Sequence, residues 1–401
     1  MNICIIGGGN IGTTLAADLA NLHSDYSIRL LTSRPNEFNQ IIQINDVENN
    51  QTIFGEINLI SSDVSKTVAE SDIIFITHPS FLIDKTLEIV APYVKNGAYI
   101  GVIPGFGGCE FYAKDRFDKS VTLFGFQRVP YIVRMQEYGK VSNLTSRKSQ
   151  LIIGAIPPSK TDAVCGLMEN LLHVSCISVP SYLSVTLTPS NPILHTARVY
   201  DLFHEASPDT IYPENPKFYE EWTLRASETL LAMDAELQEL CRSIEDLDLS
   251  SVISLKIHYE SETPEALTEK MRSIISLKDM TSPMRPAEGG FKPDLQSRYF
   301  IEDFPFGLCI IKGFCEIYQL KTPMIDTVLK WYEKLSGVEY FTNGRFEGRD
   351  LKNTAIPQNF GIMMPDDVIS FYGKPEGICP PPLLINTTNS IFSRNIPEAA
   401  A

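Results

Sequence analysis

Six residues near the N-terminus, Gly7-Gly8-Gly9-Asn10-Ile11-Gly12, constrain the fold of this chain more than any other stretch. They fit the spacing Gly-x-Gly-x-x-Gly, which recurs by chance and carries little weight alone. Context supplies the weight. The apolar run Asn2-Ile3-Cys4-Ile5-Ile6 reads as a strand directly before it, and Thr13-Thr14-Leu15-Ala16-Ala17 opens a helix directly after it. In that setting Gly7 permits the tight turn and Gly9 lets the backbone approach a pyrophosphate. Gly12 lets helix and strand pack closely, and Asn10 and Ile11 sit at the helix N-terminus, which faces the negative charge. The stretch predicts a dinucleotide-binding βαβ unit; the plainer alternative is an ordinary strand-to-helix turn.

Residues 1–178 continue in the same style. Apolar runs at 2–6, 27–32, 57–60, 73–77, 98–103, 121–124 and 150–155 read as strands, and helical periodicity falls near 11–22, 36–44, 64–69 and 81–94. This alternation predicts an α/β fold in which a doubly wound, mostly parallel sheet of Rossmann type carries helices on both faces. From about Pro180 the character changes. Strand runs thin out, and four helices are announced by proline at or near the first position, at Asn191-Pro192, Asn215-Pro216, Phe304-Pro305 and Thr322-Pro323. The second is the longest, with Trp222, Leu230, Met233, Leu237, Leu240 and Ile244 as its apolar stripe. The fourth runs from Met324 to Ser336 and is closed by Gly337. An all-helical C-terminal domain over 179–401 is expected, and 375–401, rich in Pro, Asn and Ser, reads as a loosely structured tail.

Charge narrows the partners. Lys and Arg number 34 against 49 Asp and Glu, a formal net charge of −15, which repels phosphate backbones and anionic lipid. Neither nucleic acid nor membrane is expected as a partner, and no apolar run reaches the roughly 20 residues needed to span a bilayer. No basic stretch and apolar core precede the first strand, so the first residues are read as part of the fold. The eight cysteines (4, 109, 165, 176, 241, 309, 315 and 379) are scattered without CxxC spacing. They read as reduced thiols of a cytoplasmic protein, with no zinc site and no disulfide framework. A homodimer stands as an open expectation.

The second strand ends in Leu31-Thr32-Ser33-Arg34-Pro35, where an NAD enzyme usually places a carboxylate for the ribose hydroxyls. Here Ser33 can donate to a 2′-phosphate and Arg34 can pair with it, so NADP(H) is favoured over NAD(H). The alternative is that Arg34 is a solvated loop charge. Thr77-His78-Pro79-Ser80 and Pro104-Gly105-Phe106-Gly107-Gly108 follow the fourth and fifth strands, at the carboxyl edge where ligands of such sheets bind. His78 and Pro79 are read as a wall of the cofactor site.

The chemistry falls in the second half. Asn191-Pro192-Ile193-Leu194-His195 puts Asn191 at an N-cap, Pro192 at the first helical position and His195 one turn inside. A lone histidine among Ile193, Leu194 and Ala197 is otherwise a satisfied core residue. A second cluster, Arg298-Tyr299-Phe300-Ile301-Glu302-Asp303-Phe304-Pro305, changes the balance. Hydride transfer to an α-keto acid or its imine needs a proton donor, a carboxylate to orient it and a fixed cation for the substrate carboxylate. His195, Asp303 and Arg298 match those needs, unless Asp303 only caps its helix and Arg298 only pairs on the surface.

These residues resemble the opine dehydrogenases, the octopine/nopaline dehydrogenase family, which join a Rossmann domain to an all-helical one. The family is marked by Asn-Pro-x-x-His, here Asn191 to His195, and by Arg-Tyr…Glu-Asp-x-Pro-x-Gly-Leu, here Arg298-Tyr299…Glu302-Asp303-Phe304-Pro305-Phe306-Gly307-Leu308. With the glycine motif and the following Pro323…Trp331 helix, the resemblance covers nearly the whole chain. It implies that His195 and Asp303 form a catalytic dyad, that Asn191 helps place substrate or nicotinamide, and that Arg298 holds a substrate carboxylate. A looser match over Phe126 to Arg134 implies a substrate loop on the Rossmann side, with Gln127 and Arg134 as its contacts; Arg128 has no counterpart. The implied reaction is NAD(P)H-dependent condensation of an α-keto acid with an amine through an imine. Two readings compete. Ketopantoate-reductase-like and glycerol-phosphate-like dehydrogenases share the architecture but rely on a lysine where this helix offers histidine, and an NADPH sensor without turnover has no need of an acid/base pair.

Overall fold

The structure, a computed structural model, describes residues 1–114, 116–117, 121–207 and 209–373. The tail expected at 375–401, with Cys379, lies outside the described residues. Backbone contacts divide the chain into two compact units, one comprising Met1–Gly105 and Tyr112–Val185 with Tyr372 and Gly373, the other Phe106–Phe111 and Thr186–Phe371.

The first unit is built on β1 (Asn2–Ile6), β2 (Ser27–Leu31), β3 (Ile41–Asp46), β4 (Gln51–Glu56), β5 (Leu59–Ser61) and β6 (Ile73–Ile76). It continues with β7 (Tyr99–Val102), β8 (Thr122–Phe126), β9 (Tyr131–Glu137), β10 (Val141–Arg147), β11 (Gln150–Ile156) and β12 (Ser175–Ser178). Eight of these form the main sheet in the order β12-β11-β8-β7-β6-β1-β2-β5. Every pairing is parallel except β8 with β11. The chain winds outward from β1 through β2 and returns to β6 on the other side, so the loops after β1 and β6 flank the switch point where doubly wound sheets bind ligands. β1 is buried along Ile3, Cys4, Ile5 and Ile6, as a strand covered on both faces must be.

The helix expected at 36–44 is absent. A single 3-10 turn, Pro35–Glu37, leads into β3, in which Ile42 and Ile44 are fully buried while Ile41 is exposed. That alternation has the period of a strand, and β-branched isoleucine favours the pleat. β3 belongs to a second sheet not anticipated in the sequence, ordered β4-β3-β10-β9. It lies against the helix Asn10–Leu22 so closely that a Cβ on Gly55 would fall 2.0 Å from the Ala17 carbonyl. Arg147 ties the two together, donating to both oxygens of buried Asp18 at 2.6 and 2.8 Å.

The second unit is helical, with one short hairpin, Met284–Ala287 against Gly290–Pro293. Its principal helices are Ser190–Phe203, Leu224–Ser243, Cys309–Ile317 and Pro323–Ser336, the last ended by Gly337 at φ 80° as expected. The long helix begins at Leu224 rather than near Pro216, with the Thr223 hydroxyl accepting from the Ala226 amide. Its stripe of Trp222, Leu230, Met233, Leu237, Leu240 and Ile244 is buried as the spacing required. At Phe304-Pro305 the chain first makes one turn of π-helix, Phe304–Leu308, before continuing as α-helix. Among the described residues no helix is long and apolar enough to cross a membrane.

Candidate active site

In the first unit the glycine loop has the shape of a phosphate cradle. Gly7 sits at φ +115°, a conformation closed to other residues, and its amide bonds the Leu31 carbonyl at 3.0 Å. A Cβ on Gly12 would lie 1.9 Å from the Gly7 carbonyl, so this helix can approach the loop only through glycine. Around Gly9 a Cβ would meet nothing, and no side chain caps the helix that starts at Asn10. Open space in front of uncapped amides fits a pyrophosphate. Asn10 is anchored sideways, its Oδ1 accepting from the Met135 amide at 2.9 Å, and Ile11 is half-buried.

Thr32 is buried at the end of β2, its hydroxyl accepting from the Arg34 amide at 3.4 Å, while Ser33 is exposed. The Arg34 guanidinium stacks 4.0 Å over the Tyr138 ring and pairs with Glu37 at 3.5 Å, both charges more than half exposed. His78 packs against the loop, since a Cβ on Gly7 would lie 3.0 Å from its ring. Its Nδ1 meets Thr86 Oγ1 at 2.8 Å, and burial pushes its pKa down. Pro79 is half-buried immediately before the helix Ser80–Val90. Gln127 and Arg134 do not share one loop. Gln127 is buried after β8 with its amide on the Ser184 carbonyl at 2.9 Å, whereas Arg134 is exposed within β9, one residue before the partner of Asn10.

In the second unit His195, Asp303, Arg298 and Asn191 come together. The helix carrying His195 starts at Ser190, so Asn191 lies inside the first turn instead of capping it. Asn191 and His195 are four apart and share a face. The Asn191 amide makes no hydrogen bond to any described residue and is half-buried. The π-turn at 304–308 brings Asp303 in. A Cβ on Gly307 would press on Pro192 at 3.0 Å, so glycine allows this turn to lie against the start of the histidine helix. His195 Nδ1 then lies 2.8 Å from Asp303 Oδ2, with both residues buried. Burial pushes the Asp303 carboxyl up, and the adjacent His195 ring pulls it back.

Arg298 is held from one side. Its Nε donates to buried Glu302 Oε2 at 2.5 Å, while the side chain stays 47% exposed. Tethered through Nε, the fork keeps its two terminal nitrogens for another anion. Three aromatic side chains also meet His195. Tyr219 places its hydroxyl 3.4 Å from Nε2, Phe218 meets the ring edge-on at 5.8 Å, and Tyr299 lies 4.6 Å away. Tyr299 stands in the Arg298-Tyr299 motif, whereas the only signal of Phe218 and Tyr219 is an aromatic-rich stretch, Phe218-Tyr219-Glu220-Glu221-Trp222, with no periodicity.

The family described as NAD/NADP octopine/nopaline dehydrogenase, alpha-helical domain, matches residues 178–336, and the NAD-dependent glycerol-3-phosphate dehydrogenase N-terminus matches residues 2–112. Tauropine dehydrogenase of Arabella iricolor is 27% identical over 398 residues, spanning 92% of this chain and 99% of that protein. Opine dehydrogenase of Haliotis discus hannai is 26% identical over 404 residues, spanning 92% and 98%. In fold the chain is similar to an octopine dehydrogenase solved with NADH and pyruvate, with a TM-score of 0.80 at 23% identity over 94% of this chain and all of that one.

Proposed function

Since this chain belongs to the opine dehydrogenase family, we infer that it condenses an α-keto acid with an amine and reduces the resulting imine at the expense of NAD(P)H. The observation that carries the reading is the buried His195–Asp303 contact with Arg298 tethered beside it. The glycerol-phosphate alternative loses ground because residues 178–336, which supply the chemistry, match the octopine/nopaline dehydrogenase helical domain instead. A sensor would have no use for a buried acid/base pair.

Gly7, Gly9 and Gly12 would hold the cofactor, with the amides at Asn10 and Ile11 available to its pyrophosphate and His78 and Pro79 as a wall. Thr32, Ser33 and Arg34 would meet the adenosine ribose, and the absence of a carboxylate at 32–34 favours the 2′-phosphate of NADP(H). When bound, the reduced nicotinamide supplies hydride to the imine carbon. The residues of this chain do the rest. Arg298 receives the keto-acid carboxylate in a two-point contact. Asp303 holds the proton on Nδ1 of His195, which leaves Nε2 to exchange protons as the amine adds and water departs. Asn191 offers its unused amide to substrate or nicotinamide on the same helix face.

Gln127 and Arg134 are carried as further substrate contacts of the Rossmann side. A matrix of keto acids against amino acids and other amines tests the function. NADPH oxidation that requires both co-substrates, with a secondary-amine product by mass spectrometry, is the expected result. Oxidation with the keto acid alone would make the protein an ordinary hydroxy-acid dehydrogenase.

A further inference from the structure

One turn beyond His195, the helix Ser190–Phe203 buries an arginine almost completely. Arg198 is 1% exposed, and a guanidinium in that position is tolerated only when its donors are met. Nη1 pairs with Asp201 at 2.6 Å. The remaining donors go to main-chain carbonyls of one short segment: Nε to Phe218 at 2.8 Å, Nη2 to Lys217 at 3.2 Å and to Glu221 at 2.8 Å. That segment has no helix or strand of its own; besides Arg198, an isolated bridge of Lys217 to Thr281, with the Phe218 amide on the Met280 carbonyl at 2.7 Å, holds its first residues, and Arg225 secures the other oxygen of Asp201 at 2.9 Å. The residues so fastened are Phe218 and Tyr219, which touch the His195 ring.

We propose that Tyr219 is a positioning residue for the second nitrogen of His195, and that Arg198 sets it in place through the backbone of 217–221. The inference rests on the reading of His195 as the proton carrier. With Nδ1–H committed to Asp303, the ring can rotate or tilt unless Nε2 is also met. The Tyr219 hydroxyl meets it in either state, donating to the neutral ring or accepting from the protonated one. The second bond is charge-assisted and the stronger of the two, so the tyrosine favours imidazolium. Other groups facing the ring are Asp303 on Nδ1 and Tyr299 on its flank. Arg298 and Glu302 lie behind the carboxylate, and Arg198 and Asp201 lie along its own helix.

The test is a titration of His195 by NMR of protein labelled at histidine, with His195→Asn assigning the signal among the six histidines. It needs no substrate, so it stands apart from the turnover assay that decides the reaction itself. Tyr219→Phe keeps the ring and removes the hydroxyl; the midpoint of His195 should fall by about 0.5–1 pH unit, the difference in worth between a charge-assisted and a neutral hydrogen bond. Arg198→Lys keeps a charge for Asp201 but cannot span three carbonyls, and it should move the midpoint the same way. A midpoint unchanged in Tyr219→Phe overturns the role of the tyrosine. Loss of thermal stability in Arg198→Lys with an unmoved midpoint overturns the role of the arginine and leaves it a packing brace.

Discussion

Nδ1 of His195 and Oδ2 of Asp303 lie 2.8 Å apart in a buried setting, although 108 residues separate them in the chain. The contact divides the labour of the ring. In the proposed reaction one nitrogen is held by Asp303, and the other, 3.4 Å from the Tyr219 hydroxyl, would exchange a proton with substrate. General acid–base help is commonly about 10²–10⁴-fold, so His195→Ala should lose activity in that range with cofactor affinity intact. Asp303→Asn should be slow as well. Groups that act as a unit are not additive, and the double variant should be little worse than the poorer single one. Steady-state kinetics of the four proteins, with calorimetric cofactor binding, check this; losses that multiply would separate the two residues.

Arg298 is tied to Glu302 through Nε at 2.5 Å, which aims the fork. Replacing one charge-assisted, two-point contact by a point charge should cost about 1.5–3 kcal/mol of keto-acid binding. Arg298→Lys should therefore raise the keto-acid KM by about 10- to 100-fold with cofactor KM unchanged. Glu302→Gln frees the guanidinium without removing it and should give a smaller rise. A keto-acid KM equal to wild type in Arg298→Lys would assign the arginine to the surface ion pair alone.

The parts of this molecule that were legible in the sequence are those whose constraints are local. Gly7 and Gly12 announce themselves because a positive φ and a helix packed on a carbonyl exclude side chains within a few residues. The proline that opens the helix at 323 and the glycine that ends it at 337 are equally local. His195, Asp303 and Arg298 were legible as types in a pattern, but their meeting depends on Gly307 lying against Pro192, which no spacing encodes. The 36–44 segment was misread because Ile41, Ile42 and Ile44 satisfy a helical and an alternating pattern over so short a run. Strand β3 wins through tertiary pairing with β4 and β10. The place of Tyr219 is not legible because long-range contacts, from Arg198 and from the backbone of 280–281, hold its segment and no periodicity does.

The long helix carries a buried acid that makes a separate prediction. Asp234 is 3% exposed with Oδ2 accepting from the Leu255 amide, and burial pushes its carboxyl up to about 6. A raised carboxyl pKa means that the folded state binds the proton more tightly than the unfolded one. The stability this gives is fully present below the unfolded pKa and is lost as pH rises through about 6. Asp234→Asn keeps an acceptor for Leu255 and has no charge to bury. Denaturant melts at pH 4 and pH 7 should show the variant gaining about 2 kcal/mol on wild type between the two, and a constant difference would mean the carboxylate is not penalised by burial.

The proposed preference for NADP(H) rests on Arg34, stacked 4.0 Å over Tyr138 with Glu37 at 3.5 Å. The pair with Glu37 is exposed and therefore weak, so a 2′-phosphate carrying nearly two charges can displace it. Stacking on Tyr138 holds the guanidinium plane at the end of β2, where Ser33 adds an exposed hydroxyl and Glu37 is the carboxylate the phosphate must displace. Loss of one charge-assisted contact is worth about 1.5–3 kcal/mol, so Arg34→Ala should cut the preference of kcat/KM for NADPH over NADH by about 10- to 100-fold. Glu37→Gln should act in the opposite direction, because it removes the competitor for the same guanidinium. Added salt should erode the NADPH preference of wild type more than that of Arg34→Ala, since only the former relies on an exposed ionic contact. An enzyme that prefers NADH, and whose preference Arg34→Ala leaves alone, would return Arg34 to the role of a solvated charge and make the ribose hydroxyls the group that this strand end reads.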